Sequence, residues 1–114
     1  MDLIEKAEGW YDIARLMLSE GRHWAVCFAA HQAVELYLKG LLLKRVGAYP
    51  FTHNLVQLVK ALGVDVPPHV IEACSFLNPH YTTSRYGAVA LYDEDTARIC
   101  FEKATQVLQW ARSL

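Results

Sequence analysis

Apolar residues recur along this chain at spacings of three and four, and no segment alternates convincingly with period two. Leu3, Ala7, Trp10, Ala14, Met17 and Leu18 fall on one stripe behind Asp2, which predicts a first helix from Leu3 to Ser19, capped by Asp2 and closed by Glu20-Gly21. A second helix is expected from Arg22 or His23 to Arg45, ended by Gly47 and kept from resuming by Pro50. Val26, Ala30, Ala33, Val34, Tyr37, Leu38, Leu41 and Leu42 spread round most of its circumference, a pattern that belongs at the centre of a bundle. Thr52 is the expected cap of a short third helix, His53 to Leu62, and Pro68 lies near the first turn of a fourth, His69 to Leu77, which Asn78-Pro79 terminates. Residues Tyr81 to Gly87 read as a loop rich in hydroxyls and aromatics. Asp93, with Glu94 and Asp95 behind it, opens a last helix to about Arg112. The expected fold is all-α, a single domain over residues 1–114 with four principal helices and a shorter fifth.

Polar residues interrupt the second helix at Gln32, Glu35 and Lys39. A charge on an apolar stripe costs several kcal/mol unless it finds a partner, so these residues ask for a rim, a groove or a neighbouring helix. Glu35 to Lys39 is the favourable i to i+4 orientation. For Lys39 a solvated salt bridge at the bundle edge and a place in a polar groove weigh equally, while Glu35 reads as structural. His53, at the expected start of the third helix, sits where free backbone N–H groups suit an anion, against capping by Thr52 alone. Arg85 offers a fork for phosphate or carboxylate, with Tyr81 and Tyr86 beside it to stack or donate a hydroxyl. The plainer alternative packs both tyrosines on the bundle and pairs Arg85 with a carboxylate such as Glu35.

Composition narrows the function classes. The chain has 114 residues, 54% apolar and 20% charged, with a formal charge of −1, so nothing global draws it to DNA or to an anionic membrane. Leu36–Leu43 is too short to span a bilayer, and the first residues lack the basic end and apolar run of a signal peptide, so a cytoplasmic protein is expected. Cys27, Cys74 and Cys100 are odd in number, widely spaced and free of any C-x-x-C pair, which favours reduced core thiols. No two histidines sit at H-x-x-x-H, and there is neither a G-x-S-x-G elbow nor a glycine-rich phosphate loop. No metal or cofactor is expected.

Asp12-Ile13-Ala14, the run from Cys27 to Gly40 with its Q-A-V-E-x-x-x-K core, Thr52-His53-Asn54-Leu55 after a proline, and Leu77, Tyr81 and Arg85-Tyr86 before the last helix together resemble the HEPN domain over nearly the whole chain. The resemblance implies a compact antiparallel bundle, a homodimer, and in many relatives a minimal nucleotidyltransferase encoded alongside as a toxin–antitoxin pair. Active relatives are metal-independent ribonucleases with an R-x(4–6)-H motif, in which the arginine steadies the scissile phosphate and the histidine moves a proton. This chain departs from that motif. No histidine follows Arg85, and Arg15 and Arg45 reach His23 and His53 only across seven residues. The resemblance therefore implies a non-catalytic module that binds a nucleotide, partners a nucleotidyltransferase, or both, with Lys39, His53, Tyr81, Arg85 and Tyr86 as the candidate phosphate or nucleotide contacts. The alternatives are a ribonuclease whose site is assembled in three dimensions from Arg85 and His53 or His80, and a helical dimerisation protein with no ligand.

Overall fold

The computed structural model describes residues 2–86 and 92–114, and for Arg85 and Tyr86 the backbone alone. Six helices form among the described residues: α1 Leu3–Ser19, α2 His23–Arg45, α3 Leu55–Ala61, α4 Pro68–Leu77, α5 His80–Tyr86 and α6 Glu94–Arg112. The protein is an antiparallel helical bundle with α2 packed against α1, α3, α4, α5 and α6. Local chemistry sets the ends. The Asp2 carboxylate accepts from the Glu5 N–H at 2.8 Å, and the Asp93 carboxylate accepts from the Thr96 N–H at 2.8 Å. Gly21 and Gly47 take positive φ where α1 and α2 stop, a conformation that costs a glycine nothing.

Two expectations fail locally. The third helix begins two residues late, because Asn54 and not Thr52 caps it: the Asn54 side chain accepts from the N–H groups of Val56 and Gln57. Thr52 instead accepts from the Asn54 N–H at 3.0 Å, a turn outside the helix. Tyr81 to Tyr86, read as loop, belongs to α5, which is separated from the end of α4 by Asn78 and Pro79 alone and lies against α2. Gly87, the last residue of that reading, lies outside the described residues.

The core has two faces that share α2. On one, Val34, Leu38 and Leu42 meet Leu55, Leu58 and Val59 of α3, Val70 and Leu77 of α4 and Val107 of α6. On the other, Ala33 and Tyr37 meet Ala7 and Tyr11 of α1 and Leu108 and Ala111 of α6. By length and composition alone α2 is apolar enough to cross a membrane, yet 78% of that stretch is buried by the rest of the protein, as for the central helix of a bundle. At Gly40 the approach of α1 is so close that a Cβ there would stand 2.7 Å from Cγ1 of Ile4. Cys27 of α2 and Cys100 of α6 form a disulfide, with Cα atoms 5.2 Å apart, which corrects the expectation of three reduced thiols. Cys74 alone is free, and burial pushes its thiol up to about 12, so it stays protonated and inert.

Candidate functional site

Residues 31, 35 and 39 are each four apart, so His31, Glu35 and Lys39 stack along one face of α2, and all three are buried. The shared polar face thus runs through His31; Gln32, one residue on, is half-buried with its side-chain oxygen unpartnered. Glu35 is the hub. Its carboxylate accepts from Lys39 Nζ at 2.9 Å and from His53 Nδ1 at 3.1 Å. The salt bridge is therefore a buried one, and the question left open for Lys39 is decided in favour of burial. Its ammonium also lies 5.1 Å from the centre of the Tyr49 ring.

His53 reaches Glu35 from the segment before α3. Facing two carboxylate oxygens, Nδ1 must carry a hydrogen, and in the neutral ring Nε2 is then left with its lone pair. About half of the side chain is exposed. The Tyr81 ring of α5 stacks on it, centroids 4.1 Å apart and planes 14° from parallel. His53, Tyr81, Asn54, Asn78 and Thr82 line an open cleft of about 230 Å³. Two asparagines brace it: Asn78 donates to the Asn54 side chain at 2.9 Å and accepts from the Leu55 N–H at 2.7 Å. The first three N–H groups of α3 are thereby all occupied, so the expected anion seat at that helix start is closed.

Beneath the cleft lies His31, which is fully buried. Its Nε2 donates to the His53 carbonyl at 3.1 Å, fixing the backbone that carries the His53 ring. Its Nδ1 stands 3.6 Å from Glu35 Oε1, too far for a hydrogen bond, and has no other partner. Burial outweighs the attraction of Glu35 and lowers the imidazole from 6.5 to about 4, so the ring stays neutral at physiological pH. In the unfolded chain it charges at its ordinary value. The unfolded state therefore binds the extra proton between pH 6.5 and about 4, and stability falls as pH falls through that window, by roughly 3 kcal/mol when complete. Burial lowers His80 as well, which adds to the slope in the same sense. Denaturant unfolding of wild type and His31→Gln at several pH values isolates the first contribution: the variant should show a flatter decline, and an unchanged slope would assign the pH dependence elsewhere.

Of the residues singled out from the sequence, Lys39 and His53 meet on Glu35, and Tyr81 joins them through His53. Lys39 does not line the cleft. Arg85 and Tyr86 are placed on α5, and their side chains, with the proposed Arg85–Glu35 pairing, lie outside the described residues. Sequence reasoning points to Asn54 as a neutral donor beside His53 and misses His31, Asn78 and Thr82. Only His31 left a signal, its four-residue spacing from Glu35.

A HEPN domain model matches residues 1–114. Among solved structures, TT1696 from Thermus thermophilus superposes with a TM-score of 0.90 at 31% identity, covering 97% of this chain and 94% of that one. ST0689, an archaeal HEPN homologue, gives 0.81 at 28% identity over 97% and 93% of the two chains. A HEPN domain protein from Thermotoga maritima, 17% identical, shares the fold with a TM-score of 0.79 over 97% and 94%. No curated protein matches. With a family model spanning every residue and a relative above 30% identity along almost its full length, the chain belongs to the HEPN domain family.

Proposed function

We propose that this HEPN domain is a non-catalytic module that binds a nucleotide at the His53–Tyr81 cleft and works beside a nucleotidyltransferase. One observation carries the reading: Glu35 holds the Nδ1 side of a half-exposed His53 that, stacked with the Tyr81 ring, lines the cleft. An aromatic wall takes a base by stacking, and Asn54, Asn78 and Thr82 supply polar groups at the same opening. A volume of about 230 Å³ is below that of pockets that engulf a drug-sized molecule. It suits one base or one phosphate with the rest of the nucleotide in solvent.

Calorimetric titration with nucleoside mono- and triphosphates tests the site. Loss of base stacking costs about 1–3 kcal/mol, so Tyr81→Ala should weaken binding roughly 5- to 150-fold. His53→Ala should weaken it as well. Affinity untouched by both substitutions, or no binding by the wild type, overturns the reading.

A second reading has one observation in its favour. A half-exposed histidine held at Nδ1 by a buried carboxylate is the arrangement of a general base. Metal-independent cleavage of single-stranded RNA by the wild type, lost in His53→Ala, would replace binding by catalysis.

A further inference from the structure

On the side of α2 nearer its start, a second cluster forms that the cleft does not use. Cys27 of α2, His80 of α5 and Cys100 of α6 each offer one ligand atom, and the three atoms lie within 4.8 Å of one another. Both cysteines are buried and His80 is half-buried. The Tyr92 hydroxyl hydrogen-bonds His80 Nδ1 at 2.8 Å, so that ligation through Nε2 would keep the outer partner that metal-bound histidines have.

We propose that in the reduced chain Cys27, Cys100 and His80 form a site for a thiophilic cation of the Zn2+ type, as the alternative to the Cys27–Cys100 disulfide. Two thiolates and one imidazole are the soft donor set such an ion selects. In a tetrahedral site with metal–sulfur bonds of about 2.3 Å, ligand atoms stand about 3.8 Å apart, so the two edges to His80, no wider than 4.8 Å, need to close by about an ångström at most, while the sulfur pair, bonded in the disulfide, must part by roughly 1.7 Å once reduced. Three protein ligands leave one position open. The sequence hides the site, since its members are 53 and 20 residues apart and come from three helices.

The site and the disulfide exclude each other, because a bonded sulfur pair has no thiolate to give. Reduction by a phosphine passes two electrons to the disulfide and yields two thiols, while the phosphine takes up oxygen from water. Metal binding then releases the thiol protons.

The full-length chain, oxidised and phosphine-reduced, is titrated with Co2+ as a spectroscopic stand-in and then with Zn2+ in competition. The reduced wild type should develop thiolate-to-cobalt charge-transfer absorption that Zn2+ abolishes, and the oxidised wild type should develop none. This comparison alters no residue, so it stands whether or not a variant folds. Cys74→Ser should leave the band unchanged, His80→Ala should weaken binding at least tenfold, and Tyr92→Phe should weaken it about 10- to 100-fold. Absence of the band in the reduced wild type, equal binding by the oxidised form, or a band that depends on Cys74 would each overturn the proposal.

Discussion

Replacing Glu35 by alanine should destabilise the protein by about 3–5 kcal/mol, the cost of leaving one member of a buried ion pair without its partner. The stranded group is Lys39, whose residue is only 8% exposed and whose ammonium gives its 2.9 Å bond to Glu35. His53 Nδ1 loses its acceptor in the same step, and the ring is then free to leave Tyr81. Glu35→Gln separates charge from shape. The amide oxygen still accepts from Lys39, so this variant should lose less, about 1–3 kcal/mol. Guanidinium unfolding at neutral pH reads both. A loss below about 1 kcal/mol in Glu35→Ala would show that the lysine stem straightens and carries its charge into water once released.

Leu38→Ala should cost about 2–5 kcal/mol, whereas Leu43→Ala on the same helix should stay within about 0.5 kcal/mol of wild type. Leu38 is completely buried in the face of α2 that meets α3, α4 and α6, and a truncation there opens a cavity among neighbours fixed by their own helices. Leu43 is 44% exposed, so water fills the space its side chain leaves. The pair shares a helix and a side-chain type, so propensity cancels and only packing differs. The same denaturation series decides it, and equal losses would place the core on a different face of α2.

The contrast between those two leucines also explains what could be read from the sequence. α1 and α2 were legible from end to end, since their apolar stripes are long and their stops are chemically marked by Gly21 and Gly47. α5 was not. Its Tyr81-Thr82-Thr83 start has poor helix propensity, and contact with α2 supplies what the local sequence lacks. The Glu35–Lys39 bond was visible as an i to i+4 pair. The stacking of Tyr81 on His53 and the joining of Cys27 to Cys100 were invisible, because 28 and 73 residues separate the partners and no local periodicity records such meetings.

With seven residues, α5 is shorter than the ~12–15 that an isolated helix needs to persist in water. Its folded turns are conditional on docking, and Tyr81 forms a wall only while they are docked. Segments of this kind open locally at a small fraction of the global unfolding free energy. Under the proposed function, a ligand seated against His53 and Tyr81 would need α5 docked, so it would raise the protection of α5 by mass action, and part of its binding free energy would go into ordering that segment. Affinity at the cleft and docking of α5 would then be coupled quantities, each measurable through the other.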